Sequence, residues 1–299
     1  MKSKIIITLL SVIIFAQFVF AKGVGTTMFQ ILQMPMTAYD AALANTYVSG
    51  EVSSLANPSL IPFLFRSLTL SHVVYLENMR YSVGDINLPL GGRSGINFSF
   101  CYFDSGDMDR IKESGNSYKT GGTFNATDKV FNLSYGTRLG SVFSAGLSLK
   151  YVEQNIDDVS YSNYLFGLNG LCFLSNTVFV TAGIQNFGSD VKGYSMPTSL
   201  YCGLTATVNE TTTWVIQADD YYNEDLCEFK IALEKKVDKL AMRFGYIIPS
   251  KEYNGTNNSF ITNLTLGLGI DLTNFIVDYA WLPKGDLGNV HMFTVRINF

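Results

Sequence analysis

The sequence predicts an all-β protein: a transmembrane, antiparallel β-barrel of about fourteen strands, preceded by a segment that plugs its lumen. Three observations lead there. Composition is rich in aromatics and glycine but poor in charge, with 22 Phe, 17 Tyr and 26 Gly against 7 Pro. Charged residues make up 15%, where soluble domains carry about 25%. Mean hydropathy is +0.17, yet after residue 21 no apolar run is long enough for a spanning helix. From residue 67 onward the chain instead divides into short segments of alternating apolar and polar residues, as strands with one lipid face and one lumen face require.

The chain begins with Lys2 and Lys4, followed by the apolar run "IIITLLSVIIFAQFVF" and by Val19-Phe20-Ala21. This pattern predicts a signal peptide over 1–21. The alternative is an uncleaved anchor, but the run is near the short end of the roughly 17–25 residues that a spanning helix needs. Without the peptide, 19 basic residues face 25 acidic ones. That balance gives no support for nucleic-acid binding.

Residues 22–66 lack strand alternation. "TAYDAALAN" predicts a short helix with Thr37 or Asp40 near its start, and "ANPS" predicts a turn. An apolar stretch of this length must be buried. The economical place is the barrel lumen, as a hatch or plug; the alternative is a periplasmic arm.

The barrel is assigned to 67–299. Fourteen strands are expected, at 67–76, 80–90, 94–104, 126–138, 142–153, 161–174, 177–187, 197–207, 212–219, 225–235, 238–248, 258–270, 273–282 and 289–299. Most have the roughly 9–11 residues of a tilted spanning strand. Ile96, Phe98, Phe100 and Tyr102 oppose Asn97, Ser99 and Cys101; Phe143, Leu147, Leu149 and Tyr151 oppose Ser144, Ser148 and Lys150. Segments 177–187 and 197–207 alternate poorly. Short connections at 91–93, 139–141, 175–176, 208–211, 236–237 and 271–272 are expected on the periplasmic side. Longer ones at 105–125, 154–160, 188–196, 220–224, 249–257 and 283–288 are expected outside, with 77–79 a short exception. A soluble β-sandwich would also account for strands. It would not account for Tyr102, Tyr135, Tyr151, Tyr246 and Trp281 near strand ends, where an interfacial aromatic girdle belongs.

No catalytic constellation is expected. His72 and His291 are the only histidines, and Ser71 and His72, as strand neighbours, must face opposite ways. The four cysteines, Cys101, Cys172, Cys202 and Cys227, form no CxxC pair and are read as free thiols rather than a disulfide framework or zinc site. The chain is therefore not expected to be an enzyme or to carry a metal or cofactor. The lumen register instead collects Lys150, Glu228, Lys230, Glu234, Arg243, Asp278 and Arg296. These charges would form a polar constriction, hold the plug and a ligand headgroup, or satisfy one another as an ion-pair network. Acids in "GDMDRIKESGN" and "QNIDDVS" fall in outer loops, as solvated charge or a cation site. Gly285, Asp286 and Gly288 shape the last outer turn, and His291 is expected to pack at the membrane interface or in a loop.

"AYDAALANTYVSGEVSSLANPSLIP", "LSHVVYLENMRYSV", "YFDSGDMDR" and "YAWLPKGDLGNVHMFTV", taken in that order, resemble the PorV/PorQ-like branch of the FadL-type outer-membrane barrels. One departure is "ANPSL", where the family has "WNPAG". The resemblance implies a fourteen-stranded barrel with an N-terminal hatch in the bacterial outer membrane. Two roles follow. One is hatch-gated transport of small hydrophobic or amphipathic molecules, since FadL takes up long-chain fatty acids. The other is partnership in protein secretion or surface attachment, since PorV acts in type 9 secretion. Expected partners are outer-membrane lipid, the outer-membrane assembly machinery, and either a hydrophobic small molecule or secreted proteins. In "HMFTVRINF", Phe293, Val295, Ile297 and Phe299 face lipid and Arg296 faces the lumen, so the last strand should pair with the first. Phe299 resembles the terminal aromatic signal read during outer-membrane assembly.

Overall fold

The computed structural model describes residues 27–47, 57–114, 117–250 and 260–299. The signal-peptide assignment over 1–21 and part of the N-terminal segment lie outside the described residues.

Fourteen antiparallel strands form one closed barrel. They are β1 (Ser67–Val74), β2 (Arg80–Leu90), β3 (Ser94–Asp104), β6 (Ala126–Arg138), β7 (Phe143–Ile156), β8 (Val159–Phe173), β9 (Val178–Phe187), β10 (Ser199–Asn209), β11 (Thr212–Tyr221), β12 (Leu226–Val237), β13 (Leu240–Pro249), β14 (Leu264–Asp271), β15 (Phe275–Pro283) and β16 (Asn289–Asn298). Two further strands, β4 (Met108–Ser114) and β5 (Ser117–Phe124), make a separate hairpin. Closure is made by β1 and β16, paired from Ser67↔Asn298 to Val74↔His291. The end holding Ser67 and Asn298 is called the inner end below, and the opposite end the outer end.

The faces are inside out relative to a soluble protein. Asn97, Ser134 and Asp278 are fully buried, while Phe166 is 55% and Phe293 51% exposed. Exposed apolar side chains cover the outward face of the strands, as a barrel in lipid demands. The inward face carries most of the buried polar residues together with an apolar patch, including Val73, Tyr81, Val130 and Met292, that packs on Phe29, Ile31 and Leu32 of the N-terminal segment. On the outer face, Phe100, Phe131, Tyr151 and Tyr164 form a row across β3, β6, β7 and β8, with ring centroids 4.8–6.4 Å apart.

The described N-terminal residues pack against the inward face. A 3-10 turn (Gln30–Gln33) leads to the one-turn helix α1 (Ala38–Ala42), whose N-cap Thr37 accepts a bond from the Asp40 amide. Barrel side chains satisfy backbone groups that the helix and loops leave over. The Ala38 amide donates to Thr294 Oγ1 at 2.8 Å, Thr265 Oγ1 donates to the Ala42 carbonyl at 3.0 Å, and the Tyr47 amide donates to Gln217 Oε1 at 2.7 Å. A second 3-10 turn (Pro58–Phe63), capped by Asn57, lies nearer the inner end, where Ser144 Oγ donates to the Ser59 carbonyl at 2.7 Å.

Wall glycines make room for this close approach. A Cβ on Gly146 would stand 2.3 Å from the Pro58 backbone, and one on Gly136 2.2 Å from the Pro58 carbonyl oxygen. On the other side of the lumen, a Cβ on Gly267 would stand 2.3 Å from Ala42 Cβ, and one on Gly245 2.6 Å from the Ala44 nitrogen. Glycine thus faces Pro58 at the first contact and alanine at the second.

The structure corrects several sequence expectations. The stretch 105–125, expected as a loop, is mostly the β4–β5 hairpin, anchored by Arg110 on Asp157. The outer loop expected at 154–160 shrinks to Asp157 and Asp158, because β7 and β8 pair up to Ile156↔Val159 and Asp157 takes a left-handed conformation (φ 54°). The strand expected from 258 starts at Leu264, after a 3-10 turn (Phe260–Asn263). Poor alternation at 177–187 has a cause. The β8–β9 register slips between Phe166↔Phe187 and Leu168↔Ile184, and Gln185 and Asn186 are consecutive buried residues. This is a bulge, which spoils the period of two.

If the glycine seats hold the N-terminal segment, Gly146→Ala and Gly267→Ala will each destabilise the barrel by about 1–3 kcal/mol, through overpacking. Loss of heat-modifiable gel migration at a lower temperature is the readout. Gly84→Ala, on the outer face with its nearest neighbouring atom 3.8 Å away, should behave as wild type.

Candidate functional site

The charges expected in the lumen gather at three places, two of which touch the N-terminal segment. On β11 and β12, the buried Lys230 ammonium lies 2.8 Å from Asp219 and 3.2 Å from Glu228. Tyr221 donates to Glu228 at 3.2 Å, and Gln217 donates to Asp219 at 2.8 Å. Lys230 also reaches the segment, donating to the Asn45 carbonyl at 3.4 Å and standing 5.7 Å from the Tyr47 ring. Burial pushes the Tyr47 phenol well up, an effect the neighbouring Lys230 partly offsets, so its ring faces the ammonium as a neutral π surface.

On β12, β13 and β15, Arg243 bridges two carboxylates. Its Nε lies 2.7 Å from Glu234 and its Nη1 2.6 Å from Asp278. The guanidinium plane covers the Tyr39 ring of α1 at 4.4 Å. A planar, weakly hydrated cation suits this double duty of ion pairing and stacking.

On β7, Lys150 is held differently. It donates to Asn186 Oδ1 at 2.8 Å and to Gln185 Oε1 at 3.3 Å. Both acceptors come from the β9 bulge, which turns two consecutive amides toward one ammonium. Gln185 in turn donates to Asn169 Oδ1, which also accepts from Tyr201 at 2.7 Å. Tyr201 packs edge-on against Tyr47 at 5.1 Å. Between Lys150 and the segment lies a cavity of about 30 Å³, lined by Leu32, Met34, Met36, Asp40 and Tyr47 among others. It has room for a water molecule but not for an aromatic hydrocarbon or an acyl chain.

The lumen candidates Lys150, Glu228, Lys230, Glu234, Arg243 and Asp278 thus fall into three clusters. Arg296 sits on the same inward register but near the inner end of β16, opposite Thr69 and Ile276 and half-buried. The turn residues lie elsewhere. Gly285 and Gly288 take positive φ (61° and 104°) around a 3-10 turn (Gly285–Leu287), and Asp286 is exposed. Burial holds the adjacent Lys284 ammonium below its ordinary value, which Glu228 partly offsets. His291 lies on the outward register, its Nδ1 2.8 Å from the Tyr279 hydroxyl. Phe299 follows β16 and is exposed, its amide donating to the Arg66 carbonyl at 3.1 Å. Ser71 and His72 point to opposite faces: Ser71 bonds Thr294 inside, and His72 bonds Ser82 outside.

Sequence reasoning missed Gln217, Asp219, Gln185 and Asn186. The first two carried a signal, since Val215, Gln217 and Asp219 share one parity opposite Trp214 and Ile216. The last two carried none, because a bulge breaks the parity by which a strand residue is assigned to a face.

Arg243→Met removes the common partner of two buried carboxylates and should destabilise the protein by about 3–5 kcal/mol. Adding Glu234→Gln and Asp278→Asn should restore much of that loss. Equilibrium denaturation in detergent measures both.

No family model matches the sequence, and no curated protein matches it. Solved structures do. A mutant of the TodX monoaromatic hydrocarbon channel superposes with a TM-score of 0.67 at 12% identity, over 91% of this chain and 100% of that chain. The Pseudomonas putida toluene transporter TodX gives 0.63 at 11%, over 88% and 96%. A Pseudomonas aeruginosa FadL homologue gives 0.59 at 9%, over 89% and 99%. At these identities the likeness is one of fold alone.

Proposed function

We propose that this protein is a bacterial outer-membrane channel for small apolar or amphipathic molecules, and that its N-terminal segment is the hatch. The observation that carries the reading is the seat of that segment. It lies across the lumen, stacks Tyr39 and Tyr47 on Arg243 and Lys230, and rests on wall glycines. The contacts are side-chain hydrogen bonds, cation–π stacking and shape, all of which are reversible. The cavity beside Lys150 is too small for a hydrocarbon, so passage requires the segment to shift. The similar solved structures are described as hydrocarbon and toluene channels, and an apolar cargo fits a pathway bordered by Leu32, Met34 and Met36. No step in this mechanism is covalent. The work is done by lumen width and by the displacement of the hatch.

A second reading, a PorV-like partner in protein secretion or attachment, draws on one feature. The β4–β5 hairpin stands apart from the barrel at the outer end and is pinned by Arg110 to Asp157. Such a projection suits contact with another protein.

A cysteine pair separates these readings. A Cβ on residue 245 would stand 2.9 Å from Ala44 Cβ, close to disulfide range after a small shift. In a background free of the native cysteines, Ala44→Cys/Gly245→Cys should slow toluene entry into proteoliposomes at least tenfold when oxidised and restore it when reduced. Equal rates for the locked, reduced and protein-free vesicles would exclude transport.

A further inference from the structure

We propose that Glu224 is an outer latch: through it, the loop between β11 and β12 controls whether the N-terminal segment can leave its seat. Glu224 lies in that outer-end loop and is 3% exposed. Its Oε1 accepts bonds from three side chains of the segment: Thr27 Oγ1, Gln30 Nε2 at 3.2 Å and Gln33 Nε2 at 2.9 Å. All three donors are neutral. A carboxylate gathering neutral donors makes charge-assisted bonds, which are roughly twice as strong as neutral ones. A buried charge satisfied in this way also loses its partners if the segment moves away, so release must be compensated by water or by another donor.

The neighbouring backbone reinforces the grip. The Met28 amide donates to the Ser195 carbonyl at 3.0 Å, with Thr27 and Ser195 bridged in parallel, and Asn223 Nδ2 donates to the Met196 carbonyl at 2.8 Å. The loop after β9, the loop after β11 and the start of the described segment therefore form one hydrogen-bonded unit. Apart from the Tyr81 hydroxyl of β2, which donates to the Pro35 carbonyl at 2.7 Å, the other contacts of the segment lie deeper. Helix α1 sits on Gly267, Ala44 just after it sits on Gly245, and the Pro58–Phe63 turn sits near Gly136 and Gly146 toward the inner end. Those seats work by fit and by hydrogen bonds to side chains of the wall strands rather than of the outer loops. Glu224 belongs to an outer loop, and so it couples a surface loop, on which Tyr222 is 49% exposed, to the contents of the lumen. A movement of that loop that withdraws Glu224 frees the outer end of the segment while the inner seats still hold.

The latch goes beyond the channel reading and does not need it, since segment release is measurable without any cargo. In a background lacking the four native cysteines, Met34→Cys reports on release through its rate of labelling by a water-soluble maleimide in liposomes. Glu224→Ala should raise that rate at least tenfold. Glu224→Gln, which keeps an acceptor but loses the charge, should fall between Ala and the parent. Ser141→Cys, exposed at the inner end, should label at one rate in every version, and heat-modifiable migration should confirm a folded barrel. If Glu224→Ala fails to fold, Thr27→Val/Gln30→Leu/Gln33→Leu removes the same bonds from the other side and carries the same expectation. Labelling of residue 34 within twofold of the parent in a folded variant of either kind would overturn the latch. A protein that shows the latch but passes no toluene would refute the channel reading alone.

Discussion

Everything in this protein depends on the pairing of β1 with β16. In hydrocarbon, an unpaired backbone amide or carbonyl has no water to turn to, so a sheet can persist there only without edges. The eight residue pairs from Ser67↔Asn298 to Val74↔His291 remove the last edge. Closure then dictates the chemistry of both faces. The outside must be apolar, which explains an aromatic row such as Phe100, Phe131, Tyr151 and Tyr164. The inside must be filled or hydrated, and it takes polar residues from most strands together with an apolar patch that packs on the N-terminal segment.

Filling the inside sets up a tension. Three buried cations sit among carboxylates, amides and aromatic rings, and two of them bind wall strands to one another while also stacking on the N-terminal segment. Arg243 is the clearest case: it ties β12 to β15 through Glu234 and Asp278, and ties both to α1 through Tyr39. The same side chains therefore stabilise the wall and grip the N-terminal segment. Glycine seats let the segment come close, and Glu224 secures its outer end with neutral donors.

Much of this was legible in the chain. Strands 80–90, 94–104 and 126–138 end where their alternation ends, because neither face tolerates a change of parity. The inward register of Lys150, Lys230, Arg243 and Asp278 follows from the same rule, since a charge on the lipid face is costly. Legibility failed where geometry departs from that rule. The β9 bulge turns Gln185 and Asn186 inward together, so parity assigns one of them wrongly. The β4–β5 hairpin reads as a loop because it lies outside the barrel and has no lipid face to impose an apolar stripe. Glu224 sits in a connection, where no period exists to say that it is buried.

By itself, then, the sequence determined the class of fold, the number of strands, which face of most strands meets lipid, and the pairing of the last strand with the first. These are local or periodic properties, set by the requirement that each residue suit one of two solvents. Only the tertiary structure decided which charges meet, that Tyr39 and Tyr47 cover Arg243 and Lys230, that glycines on β6, β7, β13 and β14 receive the segment, and that Glu224 reaches Thr27. Those contacts join residues up to 200 positions apart or more, such as Thr265 with Ala44 at a separation of 221. They arise from the curvature of the closed wall, which brings distant strands around a common interior, and no pattern along the chain encodes that proximity.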